Sequence, residues 1–185
     1  AGVPGPRLHF ALRRAAGRVA RPVLSLLRDE RLYPAASSGV PEDFLRAMHG
    51  VRIGPTAGSC GAAAYWSKPA FAGEIASDTL WDDHRELAEA HQLASCWSVP
   101  ILAGDGKVLG TLAVYQRKPC RPVKAHVALL QVISRSAAIA IEPRQLTDQL
   151  AYQVHHDALT ALPNRLPFQE RLQQAIMPGR RSNSN

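Results

Sequence analysis

Two apolar runs joined by a short glycine-rich turn constrain this chain more than anything else in it. They are Cys96–Leu102 (CWSVPIL) and Lys107–Tyr115 (KVLGTLAVY), linked by Ala103-Gly104-Asp105-Gly106. Asp-Gly between apolar runs marks a hairpin, because glycine tolerates the positive φ such turns require. Strand alternation puts Leu109, Thr111, Ala113 and Tyr115 on one face of the second strand and Val108, Gly110, Leu112 and Val114 on the other. Both sets are largely apolar, so this hairpin belongs inside the molecule, covered on both sides.

Other segments supply the cover. Val19–Arg28 (VARPVLSLLR) is an apolar run without glycine that suits a buried strand, with Pro22 near its start. Leu32-Tyr33 reads as a short second strand and PAASSG as a breaker. Pro41-Glu42-Asp43 opens a helix to about Met48, with proline in the first turn and acids where the helix dipole favours them. In Gly58-Ser59-Cys60-Gly61, Ser59 is placed to cap a short helix that runs to about Lys68. Ala70–Ile75 is expected as a strand, followed by a loop and an acidic amphipathic helix within SDTLWDDHRELAEAHQL. A long helix from about Val123 carries Val127, Leu130, Ile133, Ala137 and Ile141 at three- and four-residue steps, a stripe suited to its own sheet or to a partner helix. Pro143 is expected to interrupt it, and Arg144–His155 continues as a linker helix. The order of elements predicts an α+β fold, a central antiparallel sheet with helices on both faces and a long C-terminal helix.

Charge excludes one tempting class. The chain carries a formal +7, but residues 1–28 hold six Arg and no acid, while residues 29–148 hold twelve Lys/Arg against thirteen Asp/Glu. A folded nucleic-acid binder carries its basic stripe on the domain face; here the excess sits at the ends, so no nucleic-acid partner is expected. No run reaches the ~18 uncharged apolar residues of a membrane span, and no export signal is legible at the start. Cys60, Cys96 and Cys120 are sparse and far apart, which fits a reducing compartment and a cytoplasmic location. The histidines show no metal-ligand spacing, so no metal is expected, and the residues identify no cofactor.

Three segments in order, IGPTAGSCGAAAY, SDTLWDDHRELAEAHQLASCWSVPI and DGKVLGTLAVY, resemble the GAF family of sensor domains over residues 19–142. After the linker at 143–156, HHDALTALPNRLPFQERL resembles the start of GGDEF domains, the diguanylate cyclases that make cyclic di-GMP. That likeness covers about residues 157–176, without a Gly-Gly-[Asp/Glu]-Glu-Phe loop or its metal-binding acids. It would make Asn164 a guanine-contacting residue, but Gln173 stands where an acid is expected. The likeness therefore implies a sensor that regulates a cyclic-di-GMP output while being non-catalytic itself. Residues 1–18, with a basic helix at Leu8–Ala16, and the tail 177–185 are expected to lie outside the domain.

The resemblance also implies a site. Gly58, Ser59, Cys60 and Gly61 offer backbone N–H groups at a helix start, where an anion or carbonyl could bind. Cys96, Trp97 and Tyr115, with Ser95 or Ser98, are expected to wall a small ligand pocket with them, and Trp81, His84 and Arg85 to cover it. The expected partners are an unidentified small molecule and a second copy of the chain through the C-terminal helix. A ligand-free dimerisation scaffold is the alternative. A free-methionine-sulfoxide-reductase-like enzyme, which needs a nucleophilic cysteine facing the pocket, is a minor one.

Overall fold

The computed structural model describes the backbone of residues 20–155 and the side chains of residues 20–143. The segment 1–18, the GGDEF-like stretch with Asn164 and the tail 177–185 lie outside the described residues.

Six strands form one antiparallel sheet: β1 (Arg21–Arg28), β2 (Arg31–Ser37), β3 (Val51–Arg52), β4 (Ala70–Ala72), β5 (Ser95–Leu102) and β6 (Val108–Gln116), in the spatial order β3-β2-β1-β6-β5-β4. The hairpin β5–β6 lies at the centre, with β1 paired to the far side of β6. Helix α1 (Glu42–Ala47), α2 (Gly58–Trp66), two single 3₁₀ turns (Ile75–Ser77 and Thr79–Trp81) and α3 (Arg85–Ala90) pack on one face. Helix α4 (Lys124–His155) covers the other through Leu130, Ala137, Ala138 and Ile141. The expected α+β architecture, with helices on both faces, is what the chain adopts.

Three local differences have physical causes. Strand β2 runs on to Ser37 through Pro34, where a breaker was expected. Beyond Leu32 it pairs only with β1, so the missing N–H of Pro34 leaves no ladder bond broken, and a bulge at Leu24/Ser25 absorbs the irregularity. The alternation expected for β6 fails at its start. Ile101 pairs with Gly110 but Leu102 with Val108, so Leu109 is the extra residue of a bulge. The bulge swaps faces: Leu109 joins the α4 side with Leu112 and Val114, while Val108 packs on the other side with Tyr115. Helix α4 is also not ended by Pro143, since a proline removes one i to i−4 bond while the others of a long helix remain.

Close approach at the sheet centre depends on Gly110: a Cβ there would overlap the Ser25 carbonyl oxygen of β1. Residues 124–143 of α4 are long and apolar enough to cross a membrane by length and composition, yet the buried positions within them belong to the sheet's core.

Candidate functional site

Strand register decides which of the expected site residues meet. Cys96 on β5 pairs with Tyr115 on β6, so their side chains share a face. Trp97, the next residue, points the opposite way. It packs in the α4 cluster, stacks on His126 with ring centroids 5.2 Å apart, and donates from Nε1 to the Cys120 carbonyl at 2.8 Å. The expected Trp97–Tyr115 wall is thus corrected: alternation on one strand cannot place neighbours on one face.

Helix α2 brings its first turn down onto that shared face. Its buried residues run from Gly58 to Ala64 and are small, which lets the helix backbone lie close to β5 and β6. Gly58 holds φ at +69°, a conformation that glycine adopts without strain, and the Trp81 ring packs beside it within ordinary contact of where a Cβ would stand. Ser59 is not the helix cap, contrary to expectation. The N-cap is Ala57, without a side-chain bond. The Ser59 hydroxyl instead donates to the Cys96 carbonyl at 3.2 Å and accepts from Trp81 Nε1 at 3.1 Å. One hydroxyl therefore ties helix, strand and covering segment together.

Cys60 follows, with Sγ 3.4 Å from the Tyr115 hydroxyl. Tyr115 is in turn flanked edge-to-face by Phe44 at 5.3 Å and Trp81 at 6.2 Å. Cys60, Trp81, Cys96 and Tyr115 are all buried, and with Phe44 they pack into one cluster. The expected pocket position is occupied by these side chains in contact with one another. Two clefts of about 560 and 610 Å³ beside Asp78 and Arg121, and one of about 580 Å³ beside Leu45, are lined by none of the ten expected site residues.

The buried groups are electrostatically unusual. The Cys96 thiol hydrogen-bonds Cys60 and outweighs the opposing effect of burial; with further help from the hydroxyls of Tyr115, Ser98 and Thr111, it brings the Cys60 pKa down to about 7. Burial pushes Cys96 up, reinforced by Cys60, and burial likewise pushes up Tyr115. Thr111 is fully buried and its Oγ1 makes no hydrogen bond of ordinary geometry. Thr111 was missed as a site residue by sequence reasoning. The signal was available, since it stands an even number of residues from Tyr115 on the same strand.

His84 and Arg85 stay on the covering segment. Arg85 pairs with Asp82 at 2.6 Å and donates to the Asp78 carbonyl at 3.3 Å, bracing the turns that aim Trp81 inward. Burial lowers the His84 pKa, and Asp83 partly opposes that. Gly61 is buried in α2, where a Cβ would overlap the Ala57 side chain. Among the described residues no group of acids, histidines and cysteines is placed to hold a metal ion.

A sheet flanked by α2 and a covering segment on one side and a long helix on the other is the arrangement that the GAF domain family shares, and that family matches residues 11–142. The chain belongs to the GAF domain family. A methyl sulfide methyltransferase-associated sensor from Methanosarcina acetivorans is 30% identical over 129 residues, which is 69% of this chain and 13% of that protein. This GAF domain chain thus spans about an eighth of the relative's length. Among solved structures, the GAF domain/HD domain protein from Geobacter sulfurreducens is similar at 19% identity and a TM-score of 0.59, with 76% of this chain and 90% of that one covered. The GAF domain of a two-component sensor histidine kinase from Bacillus halodurans has 15% identity and a TM-score of 0.59, covering 80% and 99%. A type II free methionine-R-sulfoxide reductase from Thermoplasma acidophilum has 18% identity and a TM-score of 0.58, covering 74% and 89%. At these identities the structural likenesses establish the GAF fold alone.

Proposed function

We propose that this GAF domain is a cytoplasmic regulatory sensor that takes a small ligand between the sheet and the segment carrying Trp81, and passes the change into α4. The observation that carries this reading is the Ser59 hydroxyl, which links Trp81 of the cover to both α2 and β5 over the unpartnered Thr111 hydroxyl. The described arrangement is the closed one. A ligand that displaces the indole and satisfies the buried hydroxyls shifts the population toward an open arrangement, and it does so only through its difference in affinity for the two. The domain itself is non-catalytic and binds neither nucleic acid nor membrane. The likeness of His155–Leu172 to a GGDEF start makes a cyclic-di-GMP domain the proposed output.

The proposed dimer uses a different face from the one the sequence suggested. Leu130, Ala137 and Ile141 are committed to the chain's own sheet, with Ile133 packed beside them. Leu129, Val132 and Ile139 are exposed at three- and seven-residue steps on the outer side of α4, as a partner helix requires.

A second reading is supported by the packing of Phe44, Cys60, Trp81 and Tyr115 against one another: a ligand-free scaffold that only dimerises. A thermal-shift screen with nucleotides, inorganic anions and small polar metabolites separates the two. Saturable stabilisation that is lost in Trp81→Ala supports the sensor. If no compound moves the midpoint while Val132→Asp with Ile139→Asp abolishes the dimer, the scaffold stands. Formation of cyclic di-GMP from GTP and Mg²⁺ by this chain would overturn the non-catalytic reading.

A further inference from the structure

The three cysteines of the chain are free, and the fold separates them into two kinds. Cys120 lies at the rim, half-buried, beyond the end of β6. Cys60 and Cys96, 36 positions apart in sequence, are buried in one cluster, and Ser59, the neighbour of Cys60, bonds the Cys96 carbonyl at 3.2 Å. The same tyrosine fixes both: Cys96 stands opposite Tyr115 in the sheet register, and Cys60 Sγ is hydrogen-bonded to the Tyr115 hydroxyl at 3.4 Å. Ser98 and Thr111 face this pair from the two central strands.

Buried cysteines usually serve as small apolar side chains among other apolar groups. These two lie in a cluster of aromatic and aliphatic side chains, but the hydroxyls of Tyr115, Ser98 and Thr111 stand beside them, and Thr111 Oγ1, fully buried, makes no hydrogen bond of ordinary geometry. Leaving a buried hydroxyl without an acceptor is costly, and one left so calls for an explanation. A negative sulfur on Cys60 is such an acceptor. Cys60 also sits in the first turn of a nine-residue helix, where the dipole favours an anion.

We propose that Cys60 and Cys96 are a redox-active dithiol, converted by a hydroperoxide into an intramolecular disulfide. Cys60, 5% exposed against 0% for Cys96, is the member that meets the oxidant. Its thiolate sulfur attacks one peroxide oxygen. The O–O bond breaks, the departing alkoxide or hydroxide takes up the thiol proton, and Cys60 becomes a sulfenic acid. Cys96 sulfur then attacks Cys60 sulfur; the S–S bond forms, the S–O bond breaks, and the hydroxyl leaves as water with the Cys96 proton. Two thiols and one hydroperoxide give one disulfide, one alcohol or water, and one further water. The cross-link pulls on the first turn of α2, where Ser59 holds the Trp81 indole, so oxidation loosens the covering segment. This input goes beyond ligand binding and stands or falls independently of it.

The test is a disulfide map of the full chain. Reduced protein is exposed to excess hydrogen peroxide, quenched, alkylated under denaturing conditions and digested without reductant. The expected result is a peptide pair joining Cys60 to Cys96, reversed by dithiothreitol, with Cys120 alkylated as before and the same map in Cys120→Ser. In Cys96→Ser, Cys60 sulfenic acid accumulates and is trapped by dimedone. If that variant does not fold, the wild-type map decides alone. Full alkylation of Cys60 and Cys96 after peroxide, a cross-link through Cys120, or one between two chains would overturn the proposal.

Discussion

The two faces of one sheet are built from the same strands and differ in kind. Toward α4 the interior is dry: Leu24, Val99, Ile101, Leu112 and Val114 meet Leu130, Ala137 and Ile141. Toward α2 and the cover, hydroxyls and thiols are interleaved with the aromatic rings of Phe44, Trp81 and Tyr115. Alternation lets a single strand serve both, one residue at a time. The contrast teaches that stability and response are divided between faces. The dry face supplies burial that depends on little but volume, while the polar face depends on each hydrogen bond and is the one that the proposed ligand and the proposed oxidant would alter.

If that division holds, the largest loss comes from the dry side. Leu112 is fully buried at the centre of β6, and Leu112→Ala leaves a cavity costing about 3 kcal/mol, within the range for buried leucines. Urea denaturation should show the loss with Cys60 reactivity toward a thiol reagent unchanged in pH dependence. A shifted pH profile would break the separation of faces.

The polar side makes the next prediction, and its sign follows from linkage. Cys60 has a folded pKa of about 7 against an ordinary value of 9.0. The unfolded chain then binds more protons between those values, so Cys60 contributes stability that is fully present above pH 9 and is lost as pH falls through 7. At about 1.4 kcal/mol per pKa unit, the stability difference between wild type and Cys60→Ser should grow by roughly 2 kcal/mol from pH 7 to 9. Cys96 and Tyr115 are pushed upward, so they act against folding only at pH values above their ordinary ones. A difference that stays flat over this window would reduce Cys60 to inert filling.

Much of the sheet was legible because its signals are local. The turn at Gly104-Asp105-Gly106 and the apolar runs beside it require the hairpin, and the apolar spacing of Leu130, Ile133, Ala137 and Ile141 requires a packed helix face. The site was less legible, for two reasons. Trp97 follows Cys96 directly on β5, so alternation alone sends the two to opposite faces, whatever the aromatic character of the position suggests. The bulge at Leu109 could not be read, since it arises from how β6 meets β5 and leaves no mark in its own residues. The place of Ser59 at a helix start predicts a cap, but its partners, Cys96 and Trp81, are 37 and 22 residues away and only packing brings them in.

The smallest expected effect is the sharpest test of the comparison, because it uses the neighbour of Leu112. Thr111 points to the polar face, opposite Pro100, which has no N–H to offer, and opposite Ser25 of β1. Thr111→Val keeps the shape and removes the unpartnered hydroxyl. Below pH 7, where Cys60 is a thiol, the valine chain should be more stable by about 1 kcal/mol, since an unsatisfied buried group has been deleted. Toward pH 9 the hydroxyl has a thiolate to bond, so the advantage should shrink or reverse, and the Cys60 pKa should move up. Denaturation midpoints at pH 6 and pH 9 for the two chains measure this directly. A stabilisation equal at both would mean that Thr111 serves no charge on Cys60, and that the polar face is as passive as the dry one.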